Sequence, residues 1–75
     1  MEKHDLLHDF PEHRDKILAL QKQSNRFRKL AGDYELADQH IHRIEEGVEA
    51  TTDEHLNELR MKRVNLKDHL YKMLL

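Results

Sequence analysis

Apolar residues recur at alternating spacings of three and four in two stretches of this 75-residue chain. The first stretch contains Phe27, Leu30, Tyr34, Ala37, Ile41 and Ile44. The second contains Leu56, Leu59, Arg63, Leu66, Leu70 and Met73. This is the a and d spacing of heptads, and folding the chain back between Gly47 and Thr52 sets every a position opposite a d position. The pattern therefore predicts an antiparallel hairpin of two α-helices.

Capping residues predict where these two helices begin and end. Ser24 is a good N-cap before the first stretch, and Gly47 stands where a helix often ends in a left-handed residue. The segment 51–54, Thr-Thr-Asp-Glu, has the capping pattern of a second helix start. We predict an all-α fold, an antiparallel two-helix coiled-coil hairpin with helices over residues 25–46 and 52–74.

A shorter helix is predicted before the hairpin. Asp9, Pro11 and Glu12 follow the order of an N-cap, a first-turn proline and the acidic residue of a capping box. The apolar residues that come next are out of phase with the first seam, so they belong to a separate helix. We place this helix over residues 10–23, packed on the hairpin, and we expect residues 1–75 to form one small helical domain.

Arg63 is the one charged residue at a seam position, and it faces Ala37 across the predicted hairpin. Its aliphatic stem can cover the small alanine while its guanidinium extends toward Asp38 or water. Acidic residues flank the first seam and basic residues flank the second, which favours pairing of the two helices with each other. The flanking residues are Asp33, Asp38 and Glu45, and Arg60, Lys62 and Lys67.

A second apolar stripe lies on the last predicted helix, on the side away from the seam. Contiguous apolar surface of this kind usually marks a contact. The N-terminal helix could cover it, a second copy of the chain could pack on it, or another protein could dock on it as a helix in a groove. The predicted partner-contact residues are Met61, Val64, Tyr71 and Leu75, with Phe10 and Ile17 of the N-terminal helix as competitors for the same surface.

The composition limits the classes of function. A formal net charge of −2, from 13 basic and 15 acidic residues, gives no field that would gather phosphates. The absence of cysteine excludes disulfides, thiolate metal sites and thiol catalysis. So short a chain has no room for an enclosed substrate cavity, and it has no catalytic motif, so we expect no enzymatic activity and no cofactor. Without a signal peptide or a membrane span, we expect a cytoplasmic protein.

Seven histidines supply an alternative function. His4 and His8 have the i,i+4 spacing that lets two imidazoles share a metal ion, although no full ligand set is visible. Protonation of all seven would move the formal net charge from −2 to +5, so we expect the charge of the protein at about pH 6 to be unusually responsive. The alternative to an interaction module is therefore a histidine-mediated metal-binding or pH-responsive protein.

Two basic clusters supply a further alternative. They lie within residues 26–29 and 60–67, and Phe10, Phe27 and Tyr71 could stack on bases near the first of them. Acidic residues intervene, and two of the aromatics already have packing roles. Nucleic-acid binding is therefore disfavoured and would be a weak RNA contact at most.

Several segments of the chain also form a combination seen in a known family. They are Phe10-Pro11-Glu12 with Arg14-Asp15, Phe27 and Leu30, Tyr34, residues 41–45, Arg60-Met61-Lys62, Leu66-Lys67-Asp68 and Leu70. Together they resemble the YdcH-like family of small bacterial proteins. The resemblance implies a short, cytosolic, coiled-coil protein defined as a domain of unknown function, and it brings no catalytic residue, cofactor or partner. Asn25 departs from this family, whose members often have proline there.

These patterns together favour a non-enzymatic protein-interaction module or small adaptor. Its partner would be another protein or a second copy of the chain in a homodimer, with no membrane involved. The periodicity fixes the hairpin more firmly than it fixes this function, because the same stripe serves an internal contact, a homodimer or a foreign partner.

Overall fold

The computed structural model describes residues 6–75 and confirms the predicted all-α hairpin. In chain order, the elements are α1 (Leu6–Asp9), a 3-10 turn (Pro11–His13), α2 (Arg14–Gln23), α3 (Asn25–Glu45) and α4 (Asp53–Leu74). Helices α3 and α4 pack along each other, and their bounds lie within one residue of the predicted ones. In the described chain, no helix is both long enough and apolar enough to cross a lipid bilayer.

The caps of α3 form as predicted, and α4 is capped by Thr52, one residue later than the predicted capping box over residues 51–54 implies. The Ser24 hydroxyl accepts a hydrogen bond from the Phe27 amide at 3.1 Å, and the Thr52 hydroxyl accepts one from the His55 amide at 3.1 Å. Gly47 ends α3 with a φ of 78°, the left-handed conformation that costs a residue with a Cβ about 1 kcal/mol or more. Local side-chain chemistry therefore sets three of the four ends of α3 and α4.

The N-terminal helix starts earlier than predicted and is not continuous. Pro11 has no N–H with which to extend α1, and the 3-10 turn separates α1 from α2. Asp9 is the last residue of α1, and its carboxylate accepts a hydrogen bond from Tyr34. No side-chain hydrogen bond caps the 3-10 turn at Phe10 or α2 at His13, the residues that directly precede these two elements. The predicted capping box is wrong because the Asp9 side chain bonds a distant residue instead.

The N-terminal arm, residues 6–23, packs on the half of the hairpin that lies farthest from the turn. It contributes Leu6, Phe10 and Ile17, which are 1%, 7% and 0% exposed. They share one core with Phe27, Ala31, Tyr34, Leu70 and Leu74 of α3 and α4. This confirms that the N-terminal segment folds onto the hairpin.

Burial around the seam follows the position of the arm. Nearer the turn, Ile44, Leu56 and Leu59 are only half-buried, because two helices alone enclose their seam incompletely. At the other end, Leu74 is buried, whereas Met73, which was predicted as the last seam residue, is half-buried. The arm adds a third layer there and widens the buried face of α4.

The junction between α2 and α3 is a single residue. Ser24 alone is non-helical there, with extended backbone angles φ −123° and ψ 113°. The Arg28 guanidinium crosses the junction and donates to the carbonyl oxygens of Gln21 at 2.6 Å and Lys22 at 3.3 Å. It also contacts the Asn25 side-chain oxygen. Arg28 therefore satisfies carbonyls that the end of α2 would otherwise leave to water.

Candidate interaction surface

A cleft of about 460 Å³ opens between α3 and α4 next to the end of α1. Its lining residues are Asp9, Tyr34, Asp38, His42, Glu45, Arg63, Val64 and Lys67. The cleft is open to solvent and is not an enclosed cavity. Its volume nevertheless lies in the range of small-ligand sites.

Asp38 is the buried charge of this cleft, with 4% of its surface exposed. The Arg63 guanidinium donates a 2.7 Å hydrogen bond to Asp38 Oδ1, the first of the two alternatives, Asp38 or water, that the predicted register left open. His42 Nε2 lies 3.4 Å from Asp38 Oδ2, and Arg60 lies 3.7 Å from Glu45 across the same cleft. Asp38 and Glu45 on α3 are thus each paired with an arginine of α4.

Tyr34 and Asp9 close the other end of the cleft. The Tyr34 hydroxyl donates a 2.5 Å hydrogen bond to Asp9 Oδ2. Burial raises the pKa of the Tyr34 phenol, the hydrogen bond to Asp9 and the charges of Asp9 and Asp38 raise it further, and only Arg63 opposes them. The phenol therefore stays protonated and serves as a donor. Sequence reasoning missed this contact because Tyr34 fitted the apolar seam and Asp9 fitted an N-cap.

The apolar stripe predicted on α4 is mostly exposed. Met61 is 67% exposed, Val64 56% and Leu75 75%. Tyr71 is 42% exposed, and the Phe10 ring stacks on it with a centroid separation of 5.7 Å. We refer to Met61, Val64, Tyr71 and Leu75 as the α4 stripe.

The arm covers this stripe only in part. Phe10 reaches Tyr71, whereas Ile17 is fully buried in the core that α2 shares with α3 and α4. Met61 and Val64 of the stripe help to line a shallow, mainly apolar depression of about 230 Å³. Of the six predicted partner-contact residues, Phe10 and Ile17 are therefore internal, and most of the α4 stripe remains accessible.

The histidines lie in several separate places. His4 lies outside the described residues, and His8 is exposed on α1. Among residues 6–75, no group of three histidine, aspartate or glutamate side chains is placed to hold a metal ion. Near the turn, His40 Nε2 contacts the Glu49 carboxylate, and the His40 and His55 rings meet edge to face at 6.0 Å. These contacts join the turn to α3 and to the first turn of α4.

Several basic residues considered for RNA binding are engaged inside the protein. Arg28 bonds the end of α2, and Arg60 and Arg63 pair with carboxylates of α3. Each such pairing reduces the charge available to neutralise a phosphate. The clusters therefore offer less positive surface than their residue counts suggest.

A protein-family model described as "Protein of unknown function (DUF465)" matches residues 27–74. The match covers nearly all of α3 and α4, and it is consistent with the resemblance to the YdcH-like family. It begins at Phe27, so the similar residues of the N-terminal arm lie outside it. No curated protein and no solved structure matches the chain.

Proposed function

The chain belongs to the DUF465 family of proteins of unknown function, and we propose that it is a non-enzymatic protein-interaction module. The observation that carries the proposal is the exposure of the α4 stripe, three of whose four residues are more than half exposed. Following the resemblance to the YdcH-like family, we place this activity in the bacterial cytoplasm.

The stripe suits a helical partner. Single exposed apolar residues are ordinary on a protein surface, but a row of them on one helix face is a typical contact surface. Their spacing along α4 matches the apolar positions that an amphipathic helix would present in return. Asp68 interrupts the row and would favour one register of the partner, since a buried carboxylate needs a polar group opposite it.

The cleft supports a structural role for its polar residues. Asp38 is paired with Arg63, and Tyr34 with Asp9, so these groups hold helices together.

Affinity capture with two matched double variants tests the proposal. Met61→Glu/Leu75→Glu places two charges on the stripe, at residues that are 67% and 75% exposed. Leu36→Glu/Val48→Glu makes the same change at residues that are 64% and 72% exposed but lie on α3 and in the turn. Circular dichroism should show wild-type helicity for both variants, since all four side chains are mainly in solvent.

We expect wild type and the Leu36/Val48 variant to retain a protein that the stripe variant loses. Titration of that purified protein should then give an affinity at least tenfold weaker for the stripe variant alone, which corresponds to about 1.4 kcal/mol. Equal affinities for the two variants would contradict docking on the stripe.

A further inference from the structure

The junction at Ser24 can satisfy the same backbone groups in two ways. In the structure, the Ser24 hydroxyl caps the Phe27 amide at 3.1 Å. The Arg28 guanidinium meanwhile bonds the carbonyls of Gln21 and Lys22 at 2.6 and 3.3 Å. In a continuous helix, the same carbonyls would accept from the amides four residues further along. The bent junction thus replaces backbone hydrogen bonds with side-chain ones.

Only one residue needs to change for the helix to become continuous. The bonds on either side already have the helical i→i−4 pattern: Ser24 N donates to Leu20 O at 2.8 Å, and Arg28 N donates to Ser24 O at 3.1 Å. The single proline, Pro11, and the two glycines, Gly32 and Gly47, all lie away from the junction. Rotation of Ser24 into the helical region would therefore add the three intervening backbone bonds while removing the serine cap and the Arg28 contacts.

Straightening would carry the arm off its own hairpin. Residues 14–45 would form one helix of 32 residues, about 48 Å long. Leu6, Phe10 and Ile17, which are at most 7% exposed when docked, could not remain in water without a large loss of hydrophobic stabilisation. The surface that fits them is the one they leave, and every copy of the chain has it. The Phe10 stack on Tyr71 would form there unchanged.

We propose that this chain forms an arm-exchanged homodimer. Residues 6–23 of each copy dock on α3 and α4 of the other, and α2 and α3 become one helix. The exchange is reciprocal and closes with two-fold symmetry, so no docking surface is left empty. The α4 stripe stays as accessible as before, so this association is separate from the partner binding proposed above.

Two neighbouring substitutions move the hinge in opposite directions. Asn25→Pro should keep the junction bent, because proline lacks the N–H that the continuous helix needs and disfavours a helical conformation of the preceding Ser24. Proline is nevertheless accepted at the first position of a helix, which Asn25 occupies in α3. Ser24→Ala removes the cap and improves helix propensity. Loss of a typical cap changes the equilibrium between a bent and a straight junction about fivefold. Because the dimer contains two straight junctions, we expect its association constant to increase roughly 25-fold.

Sedimentation velocity and cysteine trapping together test the proposal. The chain has no cysteine, so His13→Cys/Tyr71→Cys adds the only thiols, at side chains whose rings lie 6.1 Å apart between the arm and α4. A short bismaleimide links them within one chain when the arm is docked on its own hairpin, and between two chains when it is exchanged. Leu36→Cys, at an exposed position on α3, measures crosslinking by random collision.

We expect wild type to form dimers as its concentration rises toward about 1 mM, the range in which weak association is populated. At the same concentrations, the crosslinks of the His13→Cys/Tyr71→Cys variant should join two chains, in excess of the Leu36→Cys background. Ser24→Ala should dimerise at lower concentration, and Asn25→Pro should stay monomeric. The proposal is overturned if wild type remains monomeric and the His13→Cys/Tyr71→Cys crosslinks lie inside one chain, or if a dimer persists in Asn25→Pro.

Discussion

Tyr34 and Asp9 are 25 residues apart in the sequence, and the tyrosine hydroxyl donates a 2.5 Å hydrogen bond to the aspartate. The bond joins α1 to the middle of α3, next to the core that the arm shares with the hairpin. It therefore fixes the end of α1 against the hairpin, whereas the Ser24 junction fixes the end of α2. The arm is held at both ends by polar contacts and between them by apolar burial.

Tyr34→Phe should destabilise the protein by about 1–2 kcal/mol. Phenylalanine fills the same buried site but leaves the Asp9 carboxylate without this donor, and a hydrogen bond to a charged group typically contributes that much. Urea unfolding followed by circular dichroism would measure the change. Tyr71→Phe is the matched control, because it keeps the ring that stacks on Phe10 and lies at a half-exposed site. A loss as large in the control would assign the effect to something other than the Asp9 bond.

Stability should fall as the pH rises above about 10, and Tyr34 should cause part of the fall. Its pKa in the folded protein is raised by burial and by Asp9, so above the ordinary tyrosine pKa the unfolded chain loses its proton first. The stabilisation is therefore complete below about pH 10 and is lost progressively above it. The free energy of unfolding, measured at about pH 8 and about pH 11, should decrease more in wild type than in Tyr34→Phe. Parallel decreases in the two proteins would rule out this contribution.

Arg63→Met should destabilise the hairpin by about 2 kcal/mol, because it leaves the buried Asp38 carboxylate without its main partner. The double variant Asp38→Leu/Arg63→Met should be more stable than Arg63→Met alone, since no buried charge then remains unpaired. Arg60→Met is the control, because the Arg60–Glu45 pair is exposed and typically contributes under about 1 kcal/mol. Urea unfolding of the four proteins gives the comparison. Equal losses for Arg60→Met and Arg63→Met would show that burial of Asp38 adds nothing.

The sequence predicts those parts of this fold that follow from a regular repeat or from residues close together in the chain. Heptad spacing predicts the hairpin and its register, and that register offers Asp38 or water to the Arg63 guanidinium, which bonds Asp38. Ser24, Gly47 and Thr52 act within one turn of the helix ends that they set. The caps depend on contacts within a short window of sequence, whereas the Asp38–Arg63 pair joins residues 25 apart and follows from the regular heptad repeat.

The arm depends on contacts that no short window contains. Asp9 satisfies the sequence rules for an N-cap, but its side chain bonds Tyr34 of the seam. The predicted cap and the predicted start of the N-terminal helix are therefore both wrong. Helix α1 has four residues, too few to show a helical period. The α4 stripe was predictable from spacing, but its partial cover by Phe10 depends on the path of the chain through the 3-10 turn. For the same reason, the sequence did not reveal the cleft between the hairpin and α1.

The two glycines should respond in opposite ways to alanine. Gly32 lies inside α3, and a Cβ added there meets nothing within 4 Å, so Gly32→Ala should stabilise the protein by about 1 kcal/mol through helix propensity. Gly47 has equal space around it but a φ of +78°, so Gly47→Ala should destabilise by about 1–2 kcal/mol through backbone strain alone. For a domain of this size, thermal unfolding should show a midpoint raised by about 4–8 °C in the first variant and lowered by at least as much in the second. A lower midpoint for Gly32→Ala would mean that the outer face of α3 makes a close contact in solution, such as packing against another molecule.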